Sequence, residues 1–170
     1  VDGFDGERQL DESQNGGSGH GYVMNATKLP GGASYGASWA VDDVIGIALD
    51  LDSSQNTVTF YKNGSTQGAI DIDNALYVFC NSNGQGSSTV TYATNFGQDG
   101  TFAGEVTAGG NADGNGVGNF KYSVPSGYLA LCTANLPDPT IGPTTSTLAT
   151  DNFNTVLYTG NATGRDITGV

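Results

Sequence analysis

The sequence contains little positive charge. Five of its 170 residues are Lys or Arg, against 17 Asp or Glu, and the formal net charge is −12. Proteins bind nucleic acid through basic side chains that neutralise phosphates, and anionic membrane surfaces attract basic segments for the same reason. The composition therefore argues against both partners. Acidity of this kind keeps a protein dispersed, and it also suits cation-rich surroundings.

Cysteine, histidine and long apolar runs are also scarce. Cys80 and Cys132 each lie in an apolar, strand-like segment, so buried free thiols are predicted, with one disulfide as the alternative. No Cys/His cluster of the kind that binds structural zinc is present, and no run of about 18 apolar residues would cross a membrane. His20, the only histidine, lies in a glycine-rich stretch without a nucleophile motif, which predicts a turn or surface position.

Glycine is abundant instead. The chain has 27 Gly residues and only 13% charged residues. Gly costs about 1 kcal/mol in a helix interior, and Asn, Ser and Thr compete for backbone hydrogen bonds. Since no apolar stripe with helical spacing exceeds about two turns, the sequence predicts an all-β fold of short strands and tight turns.

The strongest strand signals lie between residues 44 and 72. Apolar residues of VIGIALDLD alternate with small or acidic ones, which gives one apolar face. A polar turn precedes TVTFYKNG, and Asn63-Gly64 then marks a tight turn because both residues tolerate positive φ. Three consecutive antiparallel strands are predicted here. Further strands are expected near Tyr22 to Met24, at 76–81 and at 88–96, and FKYSVPSGYLALCT shows strand-like alternation. The glycine-rich stretch 97–119 is expected to be a loop that is functional or ordered by contacts.

The segment from Ser38 to Ile70 carries a specific pattern. It has a Trp, an acidic residue before a Val-Ile-Gly strand, Leu-Asp, a short turn and Thr-Phe-Tyr-Lys-Asn-Gly. This pattern resembles the central signature of SPRY domains, although Asp42 stands where the family usually has Gly. Asn95-Phe96-Gly97 and the Pro-Ser-Gly-Tyr at 125–128 resemble later segments of the same family. The resemblance implies an antiparallel β-sandwich, of the concanavalin-like jelly-roll type, over residues 1–136.

The family's first strands have no counterpart in this sequence. We therefore expect an unpaired front edge that upstream chain or another segment covers, and we expect these residues to belong to a longer polypeptide. PDPTIGPTTSTLAT is rich in Pro and Thr, which predicts a linker over 137–150. Residues 151–170 read as the start of a second β domain.

A second resemblance concerns origin. YLALCTANLPDPTI and DNFNTVLYTGNATGRDITGV are similar to a junction in structural proteins of marine tailed phages, where a SPRY-like domain meets the next domain; Ala162 replaces a Gly. The similarity implies a virion location, in a fibre, a tail appendage or a capsid-surface protein of a bacteriophage. Other virion chains, including further copies of this one in a homo-oligomer, are the implied partners.

Two groups of residues are candidates for binding. Asn111, Asp113 and Asn115 cluster oxygen ligands with Gly, as calcium requires, but they do not match an EF-hand, and ordinary Asx-rich turns are the alternative. Calcium is the one cofactor considered. Three aromatic residues are candidates for a recognition surface, namely Tyr22, Tyr35 and Trp39. The alternative is that they pack in the core.

Asp50 and Asp52 share one strand face about 7 Å apart, a spacing open to glycosidase chemistry; solvated strand-end carboxylates are the simpler interpretation. We therefore predict a non-catalytic virion structural or binding module that acts by protein–protein packing. The alternatives are a module at a fibre tip for host attachment, which binds a receptor or surface glycan, and a secreted bacterial adhesion protein. A glycan-degrading enzyme ranks last.

Overall fold

The computed structural model describes residues 19–81 and 91–137, together with Leu157, Thr159, Gly160 and Gly164. The chain divides into two compact units, Val1–Asn135 and Leu136–Val170. All the strands below belong to the first unit. Residues 1–18, most of the predicted linker and nearly all of the predicted second domain lie outside the described residues, so those predictions stay predictions.

Among the described residues, the regular structure consists mainly of two antiparallel sheets of three strands each. The first joins β1 (Gly21–Val23), β2 (Thr27–Leu29) and β3 (Ala33–Ser34) in that order; the second joins β4 (Ile45–Asp50), β5 (Thr57–Lys62) and β6 (Ser65–Asp71). A 3-10 turn covers Thr133–Asn135. No α-helix occurs in the described ranges, and the predicted all-β fold is confirmed. None of the described residues forms a helix long and apolar enough to span a membrane.

The second sheet follows the alternation in the sequence. The pairing sets Ile47 opposite Phe60 and Leu49 opposite Val58, so the apolar side chains of β4 and β5 share one face. The two-residue turn between β5 and β6 has φ values of 49° at Asn63 and 81° at Gly64. Positive φ at both central residues is what a type I′ hairpin turn requires. The predicted three-stranded antiparallel unit is therefore confirmed.

The buried core joins the two sheets through aromatic residues. Tyr22 of β1, Phe60 of β5 and Ile70 of β6 belong to one cluster, with Tyr35 and Val58. Trp39 packs against this cluster while remaining partly exposed. Because few of the residues that the structure describes are buried, each large side chain in the cluster carries a substantial share of the hydrophobic stabilisation.

Several predicted strands are wrong. Within the described ranges, residues 76–81 and 91–96 form no strand, and only an isolated bridge between Asn111 and Phe120 occurs between 97 and 137; residues 88–90 lie outside the description. A strand needs a partner for its backbone groups. In this region side chains take over that role: Asn95 Oδ1 accepts hydrogen bonds from the backbone N–H groups of Gly97 and Asp99.

Candidate functional site

The three aromatic candidates lie in or against the core cluster. Tyr22 and Tyr35 are buried, with ring centroids 5.3 Å apart in an edge-to-face arrangement, and the Tyr22 and Trp39 centroids are 6.3 Å apart. The sequence allowed either a recognition surface or core packing for these residues, and in the structure they pack in or against the core cluster. Their hydroxyl groups are also engaged, since Tyr22 donates to Ala37 O and Tyr35 donates to Gly68 O. Burial raises the pKa of Tyr35.

A polar network fixes the turn that precedes β4. The Asp43 carboxylate accepts hydrogen bonds from Ala40 N at 2.9 Å and Asn63 Nδ2 at 2.6 Å, and Lys62 Nζ lies 3.2 Å from it. Asn63 Oδ1 in turn accepts from Val44 N at 2.9 Å. The backbone hydrogen bond from Ala40, followed by that from Asn63, lowers the pKa of Asp43. The Asp43 carboxylate thereby holds the turn before β4 against the end of β5.

Asp50, one of the two carboxylates considered for glycan hydrolysis, has a lowered pKa, which is the opposite of what a general acid needs. Asp50 Oδ1 accepts hydrogen bonds from Asp52 N at 3.0 Å and Ser53 N at 3.1 Å, as in an Asx turn. The hydrogen bond from Asp52 N, with that from Ser53 N, lowers the pKa of Asp50. A glycosidase acid needs a raised pKa, so this geometry gives the enzyme hypothesis no support.

Asp113 is a buried hydrogen-bond centre. Its Oδ1 accepts from the backbone N–H groups of Asn115 and Val117, both at 2.9 Å. Its Oδ2 accepts from Ala130 N and Asn135 Nδ2, both at 2.8 Å. The hydrogen bond from Ala130 contributes most to lowering its pKa to about 2. One carboxylate thereby ties the 113–117 turn to the chain segment around residues 130–135.

The predicted calcium ligands are therefore occupied otherwise. Four N–H donors saturate Asp113, and a cation would have to displace them. Asn111 Nδ2 donates to the carbonyl of Lys121 at 3.1 Å, and Asn115 Nδ2 donates to Asn135 Oδ1 at 3.0 Å. Among residues 19–81 and 91–137 no group of three His, Cys, Asp or Glu side chains could hold a metal ion. The Asx-turn alternative describes the geometry of this segment.

The thiols differ from expectation. Cys80 is free and exposed, so its predicted burial is wrong, and Cys132 is free and partly buried. The reason is that the 76–81 segment has no partner strand in the described structure to cover it. Cys132 lines a shallow cleft of about 210 Å³ with mainly apolar neighbours, namely Phe96, Gly97, Gln98, Val117 and Gly118.

Exposed apolar side chains are the most prominent surface feature. Several large apolar residues lie in the two short segments 76–79 and 129–131. Leu76 is 94% exposed, Val78 is 81% exposed and Leu131 is 75% exposed. Large contiguous patches of exposed apolar surface are where other proteins bind, so these two segments are candidates for such a contact. The sequence predicted the strand character of 76–81, but not that its apolar face would be left open.

Comparison with protein-family models, with curated proteins and with solved structures gave no match to this chain.

Proposed function

We propose that this chain is a non-catalytic structural or binding module of a bacteriophage virion, built on a SPRY-like β-sandwich and acting by packing against other protein chains. The virion location rests on the resemblance of the C-terminal residues to tailed-phage structural proteins. The binding mode rests on surface properties of the first unit.

Support for the SPRY-like sandwich comes from the residues that carry the resemblance. Asp43 lies about twenty residues before the adjacent Lys62 and Asn63, yet the three side chains form one polar network. Trp39 and Phe60, from the same pattern, meet at the core cluster. The pattern therefore has a physical basis in this chain: its polar members lock a turn, and its apolar members fill the space beside the sheet.

The observation that carries the binding role is the exposure of large apolar side chains on a strongly acidic chain. A net charge of −12 favours solubility. Charged residues would be expected at exposed positions such as 76, 78 and 131, yet Leu76, Val78 and Leu131 are apolar. Each exposed side chain of this size forgoes about 1.5–3 kcal/mol of burial free energy. A partner chain that covers them recovers it.

Immunogold electron microscopy of purified particles tests this proposal. Antibodies raised against the chain should label the tail, the fibres or the capsid surface. Label on the surface of uninfected bacteria, with none on particles, would contradict it and favour the adhesion protein. A label confined to fibre tips, together with a specific hit on a glycan array, would replace packing by receptor binding. Hydrolysis of a host glycan that is lost in Asp50→Asn, with folding retained, would instead establish an enzyme.

A further inference from the structure

The turn between β5 and β6 consists of Asn63 and Gly64, and Asn-Gly is the dipeptide at which proteins most readily lose a side-chain amide. The backbone nitrogen that follows the Asn can attack the amide carbon because glycine has no Cβ to obstruct the approach. Asn63 is exposed to solvent, and the second step of the reaction consumes water. Sequence and exposure therefore mark Asn63 as a modification site.

Deamidation at this pair needs only the chain itself and water. The backbone nitrogen of Gly64 loses its proton and forms a bond to Cγ of Asn63, and the bond from Cγ to Nδ2 breaks. Nδ2 takes up a proton and leaves as ammonia, and a cyclic succinimide remains. Water then opens the ring at either carbonyl carbon, which leaves Asp or isoaspartate at position 63. The net change exchanges one amide for one carboxyl group.

The folded structure holds the Asn63 amide at both ends. Its Oδ1 accepts a hydrogen bond from Val44 N at 2.9 Å, and its Nδ2 donates to Asp43 Oδ1 at 2.6 Å. The Asp43 carboxylate is itself fixed, since its Oδ2 accepts from Ala40 N at 2.9 Å and lies 3.2 Å from Lys62 Nζ. Ring closure requires Cγ to approach the next backbone nitrogen and Nδ2 to depart, so the amide must first leave both partners.

Charge opposes the reaction as well. Nδ2 must gain a proton to leave as ammonia, and an ionised carboxylate beside it has none to give. The hydrogen bond from Ala40 N, followed by that from Asn63, lowers the pKa of Asp43, which keeps this carboxylate ionised at neutral pH. The finished reaction would also set a carboxylate oxygen of residue 63 against Asp43 Oδ1, where Nδ2 now donates, and two like charges at that distance repel each other.

We propose that Asn63 is a latent deamidation site, which its hydrogen bonds with Val44 and Asp43 keep unreacted in the folded chain. Its reaction would irreversibly release the turn before β4 from the turn between β5 and β6. Asp43 is here a positioning residue, because it holds the amide away from the Gly64 nitrogen. The inference concerns the chemistry of this turn alone and stands or falls independently of the virion role.

Peptide mapping by mass spectrometry tests the protection in the wild-type chain. The chain is incubated at mildly alkaline pH, folded or in guanidinium chloride, and is then digested with pepsin at acid pH, where deamidation is slow. Asn63 should react at least about tenfold more slowly in the folded chain, since a hydrogen bond to a charged group supplies a factor of that size. Equal rates overturn the proposal. A faster reaction in the folded chain would show that Val44 N activates the carbonyl, and would overturn it too.

Asp43→Ala tests the positioning role in the folded chain, with Trp39 fluorescence to verify folding. The rate at Asn63 should rise by about tenfold. Asn115-Gly116, a second Asn-Gly pair in the described ranges, is the reference in the same digest, because the Asn115 amide donates to Asn135 Oδ1 and its rate should stay unchanged. A parallel rise at both pairs would reflect loss of the fold and would contradict the role of Asp43.

Asp52→Ala is the matched control for Asp43→Ala. Asp52 is also an exposed carboxylate in a connection, but it lies at the opposite end of β5 from the Asn63-Gly64 turn. This variant should leave the deamidation rate of Asn63 unchanged. An acceleration as large as that in Asp43→Ala would show a general effect of removing negative charge and would overturn the assignment to Asp43.

Asn63→Asp tests the consequence of the reaction without waiting for it. The new carboxylate should lower the urea midpoint of unfolding, because it loses the donor that faces Asp43 and adds a like charge. The fall should be smaller in an Asp43→Asn background, where the opposing charge is absent. Equal falls in both backgrounds, or no fall, would contradict release of the turn by deamidation.

Discussion

Phe60→Ala is the substitution that most directly probes the core. Phe60 is 5% exposed, and its ring centroid lies 5.7 Å from that of Tyr22 and 6.1 Å from that of Tyr35. Removing a buried Phe side chain costs about 3–5 kcal/mol through lost burial and the cavity that remains. The two ring contacts add about 0.5–1.5 kcal/mol each. We expect a loss of about 4 kcal/mol or more in the free energy of unfolding.

A loss of this size is large for a small domain. Small domains have total stabilities of about 5–15 kcal/mol, and the cluster of buried residues in the described part of the unit is small, so Phe60→Ala should leave the fold marginal at room temperature. Trp39 is the only tryptophan in the chain and packs against the cluster. Its fluorescence in a urea titration therefore reports the unfolding of this core.

Phe96→Ala serves as the matched control. Phe96 is 40% exposed, so its removal should cost less than half as much. If the two substitutions destabilise the chain equally, or if Phe60→Ala costs under about 1 kcal/mol, the aromatic cluster is not the core, and the assignment of Tyr22 and Tyr35 to packing fails.

Three further predictions concern the turns and the carboxylates. Gly64→Ala should destabilise the fold more than Gly32→Ala, although both glycines have positive φ. The reason is that a Cβ at Gly64 would lie 2.9 Å from the Tyr122 ring, whereas one at Gly32 meets nothing within 4 Å. Urea titration measures the difference between the two variants, and that difference should be smaller in a Tyr122→Ala background. Asp113→Asn should lower the melting temperature by circular dichroism, because an amide turns one acceptor into a donor that faces N–H groups; an unchanged melting temperature would contradict the hydrogen-bond centre. Asp113 should also make the stability of the fold depend on acid pH. Its pKa in the folded chain, about 2, lies below the ordinary value of 3.8. The ionised carboxylate therefore contributes fully to the free energy of unfolding above about pH 4, and this contribution is lost as the pH falls towards 2. Urea midpoints across this window should fall less steeply in Asp113→Asn than in wild type, and parallel curves would refute this.

The sequence predicts local pairing well and distant pairing poorly. The β4–β6 unit follows from period-two alternation and the Asn63-Gly64 turn, both of which operate within a few residues. The segment at 76–81 has equally strong strand character, but a strand forms only where a partner lies alongside. No local pattern reveals that partner, so the exposure of Leu76 and Cys80 could not be foreseen.

Asp113 illustrates the same limit at the candidate site. The Asx-rich composition around it predicts a turn, and two of its hydrogen bonds, to Asn115 and Val117, are local. The other two come from Ala130 and Asn135, about twenty residues along the chain. A carboxylate that closes a long-range contact and one that binds calcium have the same local sequence, and only the donors around it distinguish them.

The packing role of the exposed apolar residues is the central claim, and electron cryo-microscopy of intact particles at side-chain resolution tests it most directly. The account predicts density for this chain in the virion, with Leu76, Val78 and Leu131 buried against neighbouring chains. A particle map in which these side chains face solvent, or in which the chain is absent, would contradict it.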